Sequence, residues 1–258
     1  MALSDFRFEL ASDVQAINCT AFEHTITPTD SVPSLDDDGI TFPNVSAKTQ
    51  KSKLIHTAVL FVDMRGSTAM SMQYKYDELA PVYASFVRTM VKCAHRAGGR
   101  VRNIIGDRVM VVFDTDKCFE QAIDTAILMN SVVKGVLREE VKLVDIEAGI
   151  GIDYDQMLVT KNGVIKHEDE NSSNKSLVWL GKPANVASKL TDMAGKMDDS
   201  TGEKRPPILF TKWFYDKLVE KKPEFDHIEK GYWKVQAVRV KGHGNTIMGG
   251  DVHYVDLI

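Results

Sequence analysis

The chain has 258 residues, 43% of them hydrophobic, with a formal net charge of −4 and a pI near 6.0. That much apolar material builds a substantial core and excludes a disordered chain, while the acidic balance leaves no overall basic field for a nucleic-acid backbone. Cys19, Cys93 and Cys118 are scattered and odd in number, the opening "MALSDFRFELASDVQAI" lacks the regions of a leader, and no apolar run spans a bilayer. A soluble, cytoplasmic protein with neither membrane nor nucleic-acid partners is expected.

Residues 1–52 read as an N-terminal extension and linker: a short helical opening is followed by "TPTDSVPSLDDDGITFPNV", where Pro, Ser and an acidic triplet accumulate. Asp36, Asp37 and Asp38 fit a solvated acidic run better than a cation site. From residue 53 to 258 the pattern tightens into one domain. "TAVLFVD" is a β-rich apolar run, and "DELAPVYASFVRTMVKCAHRAGG" has helical spacing and closes on a glycine pair suited to a C-cap. "RVRNIIGDRVMVVF" reads as a β-hairpin turning at Gly106 and Asp107, "DKCFEQAIDTAILMNSVVKGVL" as a helix and "VDIEAGIGIDYD" as a strand. The order βαββαβ predicts an α+β fold with a ferredoxin-like core and antiparallel additions. A polar hairpin arm or loop over "VTKNGVIKHEDENSSNK", a helix from about Lys182, and a closing strand, helix and β-pair complete the chain.

The chemistry centres on "VLFVDMRGSTAM", where a buried strand ends on Asp63 and turns through Arg65, Gly66 and Ser67. In a split βαβ sheet the strand ending at Asp63 lies beside the one starting after Asp107, so the two carboxylates converge. Such a pair suits hard divalent cations that also touch phosphate, and the N–H groups of the Met64–Thr68 turn suit the phosphate itself. Taken singly, each aspartate has a plainer explanation: Asp63 as the N-cap of the next helix, Asp107 as part of an ordinary "GD" turn. His56, His95, His167, His243 and His253 show no metal-ligand spacing, and Met70, Met72, Met90 and Met110 read as fillers of core or interface.

Four stretches resemble the class III nucleotidyl cyclases in order and spacing over about residues 54–258. "FVDMRGST" is similar to their first metal motif and "GGRVRNIIGDRVMVVF" to their second; "VWLGKPANVASKL" is similar to their Asn-plus-cation helix and "VRVKGHG" to their late lysine strand pair. The resemblance implies a class III cyclase homology domain in which a ribose 3′-OH attacks the α-phosphorus of a nucleoside triphosphate. Two Mg²⁺ or Mn²⁺ ions would be held by Asp63, Asp107 and the Met64 carbonyl, and Met64, Arg65, Gly66, Ser67 and Thr68 would bind phosphate. Asn185 would position the ribose, Lys189 would face the α-phosphate, and Lys241 would reach the terminal phosphates. The site would form in a homodimer, at the subunit interface, with the aspartates from one chain and the Asn helix from the other.

The chain departs from the family where the base is read. The purine cyclases' lysine falls on Asn103 and their aspartate on Val178, beside Trp179, while Lys189 replaces the usual arginine. With the catalytic shell intact, the pattern resembles the pyrimidine cyclases of Pycsar antiphage defence, which make cyclic UMP or cyclic CMP for a separate effector protein. The missing carboxylate leans the reading toward UTP over CTP. An adenylate or guanylate cyclase, and an inactive nucleotide-binding regulatory module, are the alternatives.

Overall fold

The computed structural model describes residues 2–163, 175–198, 201–236, 240 and 246–258. Its elements in chain order are α1 (Leu3–Asn18), β1 (Glu23–Thr29), β2 (Thr49–Met64), α2 (Ser67–Gln73), α3 (Tyr76–Arg96), β3 (Arg100–Ile105), β4 (Arg108–Val112), α4 (Cys118–Val132), the one-turn α5 (Arg138–Glu140), β5 (Ala148–Gly163), β6 (Lys175–Leu180), α6 (Lys182–Met193), β7 (Ile208–Thr211), α7 (Lys212–Lys221), β8 (Lys234–Gln236) and β9 (Ile247–Gly250). They divide into two compact units, residues 57–155 with 182–258, and residues 1–56 with 156–181. Among the described residues no helix is long and apolar enough to cross a membrane.

In the larger unit the strands run β3-β4-β2-β5-β7-β9-β8. The first four have the neighbour order of a ferredoxin-like βαββαβ sheet, as the element order predicts, and the rest are the added strands. α3 begins with Glu78 accepting from the Lys75 N–H at 2.9 Å. It ends through the glycine pair: Gly98 takes φ +85° and the Gly99 N–H returns to the Ala94 carbonyl at 2.8 Å.

Alternation along the strands gives the sheet two differently covered faces. Leu60, Val62, Met64, Val109, Val111, Ile150, Ile152 and Phe210 enter the main core with Phe86 of α3, Phe119 and Ile123 of α4, and Phe214 of α7. The opposite face is covered by α6, whose Val186 and Leu190 join Leu209 and Ile247 in a second cluster. By the same parity Asp63 and Arg108 stand on the α6 side. Gly151 makes that close packing feasible, because a Cβ there would run into the Ala187 carbonyl and the Thr191 amide of α6.

The smaller unit holds the segment expected as extension and linker. β1 pairs in parallel with the first residues of β2, from Glu23↔Thr49 to Thr29↔Ile55. The far half of β5 pairs antiparallel with β6, Leu158↔Leu180 through Gly163↔Lys175, which is the expected hairpin arm; residues 164–174 at its tip lie outside the described residues. Gln50 donates to Thr160 Oγ1 at 2.7 Å and to the Lys161 carbonyl at 3.0 Å. Asp37, expected to be solvated, is paired with Lys53 at 2.7 Å, and its carbonyl accepts from Lys161 Nζ at 2.8 Å. None of the residues of α1 is buried.

All three cysteines are free thiols; Cys93 and Cys118 are buried, and burial pushes both up to about 11. A buried carboxyl closes the β5–β7 edge: Asp153, 1% exposed, accepts from Thr211 Oγ1 at 2.5 Å. Thr211 in turn caps α7 by accepting from the Phe214 N–H. Burial raises the Asp153 carboxyl to about 6. The folded chain therefore keeps a proton that the unfolded chain releases near pH 4, and this residue's contribution to stability declines as pH rises through about 6. Urea unfolding of Asp153→Asn beside the wild type is expected to show the difference shifting toward the variant by up to about 3 kcal/mol between pH 4 and pH 7.

Candidate active site

The register of the two central strands builds the site. β2 and β4 are antiparallel with Val62↔Val109 paired, so the residues just beyond, Asp63 on one strand and Asp107 at the β3–β4 turn, meet at the same end. Asp107 Oδ2 accepts from the Met64 N–H at 3.2 Å. Burial, then the nearby Asp63 charge, pushes the Asp107 carboxyl above the ordinary carboxylate range, against bonds from Ser67 and the Met64 N–H. Gly106, with φ +61°, makes the turn that leaves Asp107 beside β2. The plainer explanation for Asp63 fails, because the N-cap of α2 is Gly66, at φ +74° in the left-handed region.

Two arginines surround the pair. Arg108 Nη2 donates to Asp63 Oδ2 at 2.8 Å and also to Asp192 of α6, while Nη1 donates to Ser188 Oγ at 3.0 Å. Burial opposes the Arg108 charge, but Asp63 and Asp192 outweigh it and hold its pKa above the ordinary guanidinium value. Arg65 turns inward: its side chain is 9% exposed, Nη1 lies 3.9 Å from Asp63 Oδ2, and Nη2 donates to the Thr191 carbonyl of α6. Its Nε is buried without a partner among the described residues, and its guanidinium fills the space a Cβ on Gly149 would occupy. The Arg65 guanidinium, expected at phosphate, thus faces the protein instead.

The phosphate turn is narrower than its sequence implies. The Met64 N–H is engaged by Asp107 and the Arg65 N–H by the Glu147 carbonyl at 2.8 Å, so Gly66, Ser67 and Thr68 remain to offer the turn's other N–H groups. Tyr83 braces it by donating to the Ser67 carbonyl at 3.2 Å.

α6 presents its residues as its periodicity demands. Pro183, Val186, Ala187, Leu190 and Thr191 are buried, and Asn185 and Lys189, one turn apart, are exposed on the far side. Thr191 fixes the helix to β2 by donating to the Phe61 carbonyl at 3.1 Å. Asn103 is exposed on β3, at the register shift after Val101. Val178 and Trp179 belong to the smaller unit, on β6 opposite Thr160 and Val159, and the Trp179 indole N–H is buried without a partner among the described residues. Lys241 lies outside the described residues.

The structure therefore brings together Asp63, Met64, Asp107 and Ser67. It adds Ser188 and Asp192, which sequence reasoning left out, and gives partners to Arg108, which the sequence shows only as a charge flanking Asp107. The available signal was spacing: Ser188 and Asp192 stand one turn apart on α6, displaced by three residues from Asn185 and Lys189.

Among the described residues no cluster of three or more His, Cys, Asp or Glu side chains forms a self-sufficient metal cage. Two carboxylates beside a backbone turn are instead a partial, all-oxygen donor set of the kind that hard cations complete with phosphate oxygens.

No family model matches the chain. It is 29% identical over 201 residues to the uridylate cyclase of Burkholderia cepacia, covering 76% of this chain and 78% of that one. The uridylate cyclase of Gulbenkiania mobilis is 30% identical over 179 residues, 65% of this chain and 64% of the relative. Among solved structures, the adenylyl cyclase CyaB from P. aeruginosa superposes with a TM-score of 0.57 at 22% identity, over 77% of this chain and 94% of that one.

Because α6 rests on β5 through Gly151, Gly151→Ala is expected to force helix and strand apart, lowering stability by about 1–3 kcal/mol. Thermal unfolding checks the loss.

Proposed function

We propose that this chain, which has the class III nucleotidyl cyclase fold and uridylate cyclases among its relatives, is a cyclase that converts UTP to cyclic UMP and pyrophosphate. The observation that carries the reading is the convergence of Asp63 and Asp107 on one backbone turn. The charge of Asp63 helps push the Asp107 carboxyl up, a repulsion that a cation between them relieves, so the residues fit the divalent ions the fold implies. Asp63, Asp107 and the Met64 carbonyl would hold two such ions, Mg²⁺ or Mn²⁺, which supply Lewis-acid activation and charge neutralisation when bound.

The rest falls to the chain's own groups. In the reaction the ribose 3′-oxygen loses its proton and bonds to the α-phosphorus as the bond to the pyrophosphate oxygen breaks. The N–H groups of Gly66, Ser67 and Thr68 hold phosphate oxygens. Asn185 orients the ribose, and Lys189, one helical turn on, meets the charge that builds on the α-phosphate. Lysine brings this charge without the planar fork of the usual arginine. Lys241 engages the terminal phosphates. Asn103 carries both a donor and an acceptor, which match the uracil edge, and Val178 stands in the sequence where purine cyclases carry their base-reading aspartate.

Asn185 and Lys189 face outward from α6, which supports a homodimer in which each site joins the aspartates of one chain to the α6 helix of the other. The product would act on a separate effector protein in cytoplasmic antiviral signalling.

The test is turnover of ATP, GTP, CTP and UTP supplied together with Mg²⁺ or Mn²⁺, with Asp63→Ala as control. Cyclic UMP that vanishes in the control is expected; cyclic CMP, cyclic AMP or cyclic GMP would reassign the base, and no cyclic product would overturn the reading. Asn103→Lys with Val178→Asp is expected to shift turnover from UTP toward ATP in the same assay.

Mixing inactive Asp63→Ala and Asn185→Ala chains checks the shared site. A heterodimer carries one doubly damaged and one intact site, so random exchange should restore about a quarter of wild-type activity. Sites built within one chain would restore none.

A further inference from the structure

Arg108 has three partners on two elements. It donates to Asp63 Oδ2 at 2.8 Å at the end of β2, and to Ser188 Oγ at 3.0 Å and Asp192 on α6. The same nitrogen, Nη2, serves both carboxylates, so Asp63 and Asp192 share one arm of the guanidinium. The Asp63 and Arg108 side chains are 17% and 25% exposed, whereas Asp192 is 53% exposed at the outer edge of α6. A partly buried charge pair is screened weakly by salt, so what holds Arg108 matters to anything that approaches Asp63.

We propose that Arg108 and Asp192 are positioning residues that set the cation affinity of Asp63, with Arg108 as an internal counter-ion and Asp192 drawing it away. A divalent ion at Asp63 competes with the Arg108 guanidinium for the same carboxylate. Asp192 and Ser188 keep a place for Arg108 once it is displaced, which lowers the cost of the exchange. Since these two partners lie on α6 beside Asn185 and Lys189, which serve the other site of the homodimer, the exchange also links the carboxylate end of β2 in one site to the helix of the other site. The inference rests on the reading of Asp63 as a metal ligand.

The two residues then have opposite effects on metal binding, and Asp192 acts only through Arg108. Mn²⁺ binding to the full-length chain, without nucleotide, is followed by loss of the free-ion paramagnetic resonance signal. Arg108→Gln is expected to tighten it on the order of tenfold, the scale of one charge-assisted hydrogen bond. Arg108→Lys, which keeps the charge but loses the fork, should fall between that variant and the wild type. Asp192→Asn, at an exposed position, should weaken binding about threefold, as Arg108 settles on Asp63 alone. In the Arg108→Gln background, Asp192→Asn should change nothing further.

An equal weakening by Asp192→Asn in both backgrounds would mean simple attraction between Asp192 and the ion, and would overturn the proposal. So would weaker binding in Arg108→Gln. Asp63→Asn separates this inference from the reading beneath it: if that variant binds Mn²⁺ as the wild type does, the metal reading fails and the inference with it. Loss of binding in Asp63→Asn without the opposed effects would overturn the inference alone.

Discussion

Two carboxylates are held side by side by the pairing of β2 with β4, and the surroundings of the site are arranged to make that tolerable. A one-residue slip of this register would turn Asp63 into the core beneath α3 and α4 and bring Val62 to the α6 face. The apolar alternation of the strands forbids it. Leu60, Val62 and Met64 must enter the core together with Val109 and Val111, and the position of the acids follows from the burial of their neighbours. Hydrophobic packing thus aims the polar chemistry.

The like charges are then managed by specific groups. The Met64 N–H bonds Asp107, and Arg108 and, at longer range, Arg65 both approach Oδ2 of Asp63. Each arginine also bonds α6, one to side chains and the other to a backbone carbonyl. A helix packed against β5 through Gly151 is thereby also tied by hydrogen bonds to the end of β2 that carries Asp63. Removing either arginine would leave a partly buried carboxylate with fewer partners, a larger penalty than the loss of a surface ion pair.

Much of this was legible from the sequence because it follows from local periodicity. The strand to Asp63, the hairpin turning at Gly106, the glycine C-cap of α3 and the shared face of Asn185 and Lys189 need only spacings of two and of three to four residues. The inward turn of Arg65 was not legible: spacing shows that a charge is present but not that Gly149 leaves a hole for it. The smaller unit escaped for a different reason. β1 pairs with residues 26 positions later in the chain, and Asp37 with Lys53, contacts set by the path of the chain rather than by any local pattern. Pro28 within β1 made that segment read as loop, although its missing N–H is tolerated on a strand that, among the described residues, pairs only with β2.

The chemistry of the thiols has a practical side. With Cys93 and Cys118 pushed up to about 11, only a few in ten thousand of either would be thiolate near pH 7.5. Both are buried as well, so maleimides and mild oxidants pass them by. Cys19, half-buried at the end of α1, is different: a single dye or spin label attached there would report on the smaller unit with the native sequence untouched.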